Sequence, residues 1–164
     1  MQAKTVSQSR LVSAIQMLPH DANPAGNVHG GVIMKLIDGT AGVVALRHAG
    51  MNAVTASIDR LDFHYPAYVG DLLILAASLN YVGKTSMEVG VRVACEDPRT
   101  GKKRHTASAY LTFVALGENG KPAVLPGLIL ENDLERRRNR QAAERRNTRL
   151  AEKKREAAAR EQGQ

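Results

Sequence analysis

The stretch from Gly31 to Arg47, GVIMKLIDGTAGVVALR, limits what this chain can fold into more than any other segment. It is too long for a typical strand, its apolar residues recur at helical spacings, and it follows two adjacent glycines at its start, so the pattern predicts a helix. At about 1.5 Å per residue that helix would span roughly 24 Å, the width of a small domain. Apolar side chains occupy nearly its whole circumference, which calls for other structure on most sides. Asp38 interrupts it, sharing a face with Met34, Ala41 and Ala45. An ionised carboxylate in that company needs either a paired core charge or a chemical task. Gly39 and Gly42 each cost about 1 kcal/mol relative to alanine inside a helix, so close approach of another backbone or a ligand is expected there.

After this helix the period changes from helical to alternating. Met87, Val89, Val91, Val93 and Cys95 point one way and Ser86, Glu88, Gly90, Arg92 and Ala94 the other, the pattern of a half-buried antiparallel strand. Similar signals mark strands over Ala53 to Tyr65, Leu72 to Val82 and His105 to Leu116, with turn chemistry at Pro66 to Asp71, Gly83-Lys84 and Asp97 to Gly101. Leu11 to Met17 reads as a further short strand ahead of the helix. The loops are short enough for the last four strands to form a meander, and one sheet with one apolar helix packs most simply by curling around it. The fold class is therefore α+β, with a core of residues 1–130.

Residues 131–164 differ in kind. They hold 11 Lys and Arg against 7 Asp and Glu with few large apolar residues, which favours a helix that has little to pack against, solvated or partly disordered. The body keeps 12 basic against 9 acidic residues, a mild excess that suits a polyphosphate ligand without implying nucleic acid. No aromatic residue interleaves with the tail's charges and no sustained heptad runs through it, which weakens nucleic-acid and coiled-coil readings. The only cysteine, Cys95, has no partner for an intrachain bridge, no Cys/His cluster has metal-ligand spacing, and no apolar run approaches the 18 or so residues of a membrane span. A cytoplasmic protein without metal or membrane partner is the expectation.

The chemistry concentrates between Asp21 and Asp38, DANPAGNVHGGVIMKLID. Backbone N–H groups at a helix start are unpaired and carry partial positive charge, so Gly30 and Gly31 can polarise a thioester or ester carbonyl as an oxyanion develops. Asp38 can take a proton from an attacking water, or attack the carbonyl itself and form an anhydride. Asn23 offers an amide to orient the water or substrate, or equally an Asx turn before Pro24. His29 is expected to orient the loop or line the pocket, and Asp21 to stabilise the helix entry. His48, His64 and His105 lack metal-like spacing and are expected at the surface or a helix end.

With these residues in place, the chain resembles the hotdog-fold acyl-CoA thioesterases, in particular the cytosolic and brain acyl-CoA hydrolases. The resemblance runs from about Met17 to Pro126 and is carried by DANPAGNVHGG, MKLID followed by GTAG, VTASID, DFHYPAYVGD, VGKTSMEV, TFVAL and GKP in that order. It implies an antiparallel sheet wrapped around the long helix, a homodimer with sites at the interface where Asn23 of one subunit meets Asp38 of the other, and a trimer of dimers. It also implies Gly83, Lys84, Thr85 and Ser86 as contacts on the nucleotide side of coenzyme A. Lys102, Lys103 and Arg104 either meet phosphates or form a solvated hairpin turn. The implied reaction hydrolyses acyl-CoA to a fatty acid and coenzyme A without a metal or redox cofactor.

Two rivals stand beside it. A hotdog enoyl-CoA hydratase shares D-x-N-P at Asp21 to Pro24, but its histidine lies three residues after the asparagine, where this chain has Gly26. A non-catalytic acyl-CoA sensor, or a nucleic-acid binder using the tail, would leave Asp38 without a purpose. If the tail is peripheral, activity should survive its removal.

Overall fold

A computed structural model describes residues 1–162. In chain order the elements are β1 (Lys4–Thr5), α1 (Val6–Ser9), β2 (Leu11–Gln16), a single 3-10 turn (Pro19–Asp21), α2 (Gly30–Ala49), β3 (Ala53–Phe63), β4 (Leu72–Val82), β5 (Ser86–Glu96), β6 (Lys103–Ala115), β7 (Leu128–Ile129) and α3 (Asp133–Gln162). The expected central helix is present, longer by one residue at its start and two at its end. Its C-terminus is closed three ways. Gly50 takes the left-handed conformation (φ 67°) that lets its N–H reach the Leu46 carbonyl, and the Lys4 ammonium donates to the carbonyls of Arg47 (2.9 Å) and His48 (2.8 Å).

Five strands form one antiparallel sheet in the order β2-β4-β5-β6-β3. All five strands lie within two residues of their expected ends. The expected four-stranded meander is corrected: only β4, β5 and β6 are consecutive neighbours, and β3 pairs with β6 at the far edge. The segment His64 to Asp71 carries the chain back across the sheet. Eight extended residues reach about 26 Å, and three strand spacings need only about 14 Å, so a short loop does not force a hairpin here.

Alternation sorts the sheet into two faces. Leu73, Leu75, Leu79, Val89, Val93 and Leu111 point inward, and they bury against Ile33, Ile37, Ala41, Val44 and Ala45 of α2. Each fully buried Leu or Val contributes about 1.5–3 kcal/mol relative to exposure, so this layer supplies most of the drive to wrap the sheet on the helix. This is the hotdog arrangement. Wrapping is one-sided, however: Met34, Val43 and Leu46 stay 39%, 39% and 50% exposed beside exposed Lys35 and Arg47, so the broad side of α2 turned away from the sheet is uncovered by its own chain.

The outer face contradicts the picture of a solvated tail. α3 is helical, as expected, but its middle lies against the sheet, with Ala142 fully buried and Asn139 donating to the Asn80 carbonyl (2.9 Å). Arg145 makes a two-pronged bond to Glu88 (2.7 and 3.1 Å) and stacks over the Tyr110 ring (3.8 Å). Arg149 bonds Asp59 and Thr112, and Asp59 also accepts from Thr112 and Ser57 (2.7 Å each). The helix packs by guanidinium-carboxylate pairs on a polar sheet face, so the scarcity of large apolar residues did not stop it. Among the described residues no helix is long and apolar enough to cross a membrane.

His48 lies at a helix end, one of the two places expected for it, and is fully buried there. Its Nε2 donates to the Pro126 carbonyl (3.0 Å), while Nδ1 is buried with no partner among the described residues. Burial lowers its pKa below the ordinary 6.5, opposed by the Pro126 bond and reinforced by the Lys4 charge. A base that is harder to protonate in the folded state contributes stability at neutral pH that is lost as pH falls below the unfolded value of 6.5. Melting temperature should therefore fall between pH 7 and pH 5, and His48→Gln should flatten that slope in a thermal-melt series; an equal slope in both proteins would refute this account.

Candidate active site

The loop from Asp21 to His29 is built to present the start of α2. The Asp21 carboxylate accepts from the Leu18 N–H (2.8 Å), its carbonyl accepts from the His29 N–H (2.8 Å), and the Val28 N–H reaches the Ala67 carbonyl (2.8 Å). Asp21 thus has the supporting role expected of it. Asn23 turns its side-chain oxygen toward the loop, accepting from the N–H groups of Ala25 (3.0 Å) and Asn27 (3.2 Å). That is the Asx turn, and it leaves the Nδ2 donor free of bonds among the described residues, so the two readings of Asn23 coexist.

His29 is the N-cap. Its Nδ1 accepts the Gly31 N–H at 2.9 Å, and a Cβ added at Gly31 would come within 3.0 Å of that nitrogen. Gly31 is glycine because the imidazole needs the space. Its expected part in polarising a carbonyl is corrected for the same reason, since its N–H is already spent on His29. The Gly30 N–H has no partner among the described residues and remains available. It stands at a cavity of about 300 Å³ lined by Val28, Ile33, Phe63, His64, Tyr65, Pro66 and Ala67 together with Gly30 itself. A mostly apolar cavity with an unpartnered donor in its wall suits an acyl group whose carbonyl oxygen meets that donor.

Asp38 lies two turns further along α2, half-buried instead of enclosed, because it sits at the border between the buried and the uncovered sides of the helix. One carboxylate oxygen, Oδ1, accepts the Thr55 hydroxyl at 2.6 Å, a short charge-assisted bond from the start of β3. The other oxygen is unbonded among the described residues. Thr55 is the residue that the sequence did not single out. It lies in VTASID, but nothing in the spacing says that β3 passes beside the second turn of α2. Asn23 and Asp38 make no hydrogen bond to one another within the chain.

Gly83, Lys84, Thr85 and Ser86 form the β4–β5 turn. The Gly83 N–H closes it onto the Ser86 carbonyl (2.8 Å), and the carbonyls of Lys84 and Thr85 accept from Leu125 (2.9 Å) and Ala115 (3.0 Å). Three of their carbonyls and the Gly83 N–H are used internally, which leaves the Lys84 and Thr85 N–H groups and the exposed Lys84 side chain for any ligand. None of the four bonds to Asn23, Gly30 or Asp38. Arg104 of the neighbouring hairpin pairs with Asp71 and Lys103 with Glu96 (3.2 Å), so two of that basic trio have structural partners. The His64 and His105 rings meet at 4.7 Å, a contact their spacing did not announce, yet no group of three metal-ligating side chains occurs among the described residues. Cys95 is fully buried, and burial pushes its thiol pKa up, the profile of an unreactive core residue.

Comparison with known proteins agrees with this geometry. Residues 25–102 match the thioesterase superfamily. The uncharacterized acyl-CoA thioester hydrolase YkhA of Bacillus subtilis is 37% identical over 147 residues, covering 90% of this chain and 86% of that one. An acyl-CoA hydrolase from Staphylococcus aureus, solved with butyryl coenzyme A and coenzyme A, is 37% identical over 97% of each chain with a TM-score of 0.89. Variants of that protein with one Asp, one Asn or one Thr changed to Ala have also been solved, at positions separated by 15 residues from Asn to Asp and 17 from Asp to Thr. A hexameric acyl-CoA thioesterase is 38% identical over 93% of this chain and 97% of that one, with a TM-score of 0.89. By its fold and by these relatives, the chain belongs to the hotdog acyl-CoA thioester hydrolases of the thioesterase superfamily.

Proposed function

We propose that the protein hydrolyses acyl-CoA to a free acid and coenzyme A, with Asp38 as the general base. The observation that carries the assignment is the Thr55 bond: it holds one Asp38 oxygen in place and leaves the other open toward a water. That oxygen takes a proton as the water attacks the thioester carbon. The Gly30 N–H, with Asn23 Nδ2 available as a second donor, meets the oxyanion, and collapse of the tetrahedral intermediate expels the coenzyme A thiolate, which is then protonated. No step as written calls for a metal or a redox cofactor. The Asn23, Asp38 and Thr55 of this chain are 15 and 17 residues apart, the separations of the three positions altered in the S. aureus protein, which supports grouping them in one site.

The site is shared between two chains in this reading. Eight residues of helix separate Gly30 from Asp38, about 12 Å along the axis, whereas reacting atoms must approach to about 3–3.5 Å. A carbonyl held at Gly30 is out of reach of the same chain's Asp38. A two-fold axis passing near Met34 would set Asp38 of one α2 level with Gly30 of another, and Met34, 39% exposed at that axis, gives such a partner an apolar side chain to cover. Between them Gly39 faces open space in the single chain, where an added Cβ meets nothing within 4 Å. The free edge of β3, with Val54 and Ile58 exposed, offers a second copy a place to continue the sheet. The homodimer and its assembly into a trimer of dimers, the coenzyme A contacts at Gly83 to Ser86 and a cytoplasmic location belong to the same proposal.

Release of free thiol from acyl-CoA esters of graded chain length tests it. Saturable hydrolysis by the assembled protein, with a chain-length optimum set by the cavity at Phe63 and Tyr65, is the expected result; absence of hydrolysis at every length would overturn it.

A further inference from the structure

α3 crosses the outer face of the sheet along a single register row. Asn139 bonds the Asn80 carbonyl on β4, Arg145 reaches Glu88 on β5, and Arg149 reaches Thr112 on β6 and Asp59 on β3. Glu88 has Tyr81 as its register partner on one side and Thr112 on the other, and Thr112 in turn faces Ser57, so these contacts follow one line straight across the strands. From residue 139 to residue 149 the helix advances about 15 Å, and β4 to β3 is three strand spacings, about 14 Å. At Arg149 the sheet of this chain ends, because β3 is its edge strand.

The helix does not end there. Residues 150–162 continue it for about 20 Å past the edge, and every residue from Leu150 to Arg160 is exposed. A helical segment of this length has little stability of its own in water. Its charges, four Lys and Arg against three Glu, are too evenly mixed to select a polyanion as the covering surface.

The dimer proposed for catalysis, on which this inference rests, fixes what lies beyond the edge. α2 and β3 run antiparallel to each other: an added Cβ on Gly30 would lie 3.7 Å from the Phe63 ring, and Asp38 bonds Thr55. A two-fold axis at Met34, midway between Gly30 and Asp38, therefore passes near Asp59, midway between Phe63 and Thr55. α3 crosses β3 between Ser57 and Asp59, no more than two residues or about 7 Å from that axis. Its symmetry copy then runs antiparallel to it no more than about 13 Å away, close to the 8–10 Å at which helices pack. Leu150, 38% exposed, is the first residue past the edge and lies nearest the axis.

We infer that the two α3 helices of a dimer pack side by side and antiparallel on the outer face, with Leu150 at the crossing. Each lays residues 150–162 over the partner's half of the joined sheet, so the dimer is clamped on both faces, by α2 within and by α3 outside.

Single-cysteine substitutions test this, since Cys95 is fully buried and an introduced thiol is the only accessible one. A disulfide needs Cα atoms within about 7 Å, so a residue links to its own copy only at the two-fold. Of Leu150→Cys, Ala151→Cys, Lys153→Cys and Lys154→Cys, oxidised separately, at least one should give a covalent dimer. Arg137→Cys, about 20 Å back along the helix, should give none. Ending the chain after Arg149 keeps the bonds of α3 to its own sheet and should raise the dimer dissociation constant at least tenfold, read by sedimentation over a dilution series. Absence of linkage at all four positions, equal linkage at Arg137→Cys, or a dissociation constant unchanged by the truncation would overturn the inference. A parent chain that sediments as a monomer would overturn the dimer reading and this inference with it. Linkage and assembly are read without turnover, so neither failure is confused with absence of hydrolysis.

Discussion

Asp38→Asn should lower kcat for acyl-CoA hydrolysis by about 100- to 10,000-fold, the usual contribution of a positioned general base, while the protein stays folded and assembled. The substitution is isosteric, and the amide oxygen can still accept the Thr55 hydroxyl, so what is lost is the proton acceptor and not the geometry. Thr55→Val isolates the geometry instead. A hydrogen bond to a charged group is worth about 1.5–3 kcal/mol, so its removal should cost roughly 10- to 100-fold in kcat, with Thr55→Ser recovering most of it. Hydrolysis by assembled Asp38→Asn within tenfold of the parent would exclude Asp38 as base. Two experiments separate the routes open to a carboxylate: label appearing in Asp38 itself after a single turnover in ¹⁸O-water would mean an anhydride opened at the Asp carbonyl, and trapping of an acyl-enzyme by hydroxylamine would mean one opened at the acyl carbon, neither being expected for the water attack proposed.

Arg145→Met should destabilise the protein by about 3 kcal/mol, because it leaves the Glu88 carboxylate beneath α3 without its counter-charge. For a chain of this length that corresponds to a fall in melting temperature of roughly 6–12 °C. The loss has a ceiling, since Glu88 can recover water if α3 lifts off the sheet, so the cost cannot exceed the free energy of docking the helix. Limited proteolysis reads that escape directly, as faster cleavage within residues 133–162. Adding Glu88→Gln should restore part of the stability, as the orphaned charge is then gone. Equal stability and equal protection of α3 in Arg145→Met would show that the pair contributes nothing. The expectation that activity survives removal of residues 131–164 was conditional on a peripheral tail, and a helix bonded to Glu88, Asp59 and Thr112 is not peripheral.

What could be read from the sequence was what depends on local period. α2 announced itself through apolar spacing and its glycine start, and β5 through strict alternation of Met87 to Cys95. Asn23, Gly30 and Asp38 stood out because their chemistry is odd for their surroundings. The rest depended on distant partners. β3 goes to β6 because the crossover at His64 to Asp71 is long enough, which turn residues alone do not encode. The Thr55 to Asp38 bond joins residues 17 apart that only the wrapped sheet brings together. α3 was misjudged because its docking is written in Arg145, Arg149 and Asn139, residues that look like solvent-facing charge until Glu88, Asp59 and the Asn80 carbonyl are found beneath them.

The crossover at His64 to Asp71 has an evolutionary consequence. Tyr65, Pro66 and Ala67 line the cavity beside Gly30 while their segment also carries the chain from the edge strand β3 to the interior strand β4. Because the crossover has more reach than its span needs, natural variants of this architecture can add or lose a residue there without breaking the sheet, and each such change remodels the cavity wall. Loop length at the crossover and side-chain exchange at Phe63 and Tyr65 are thus two independent routes by which the shape of that cavity can diverge.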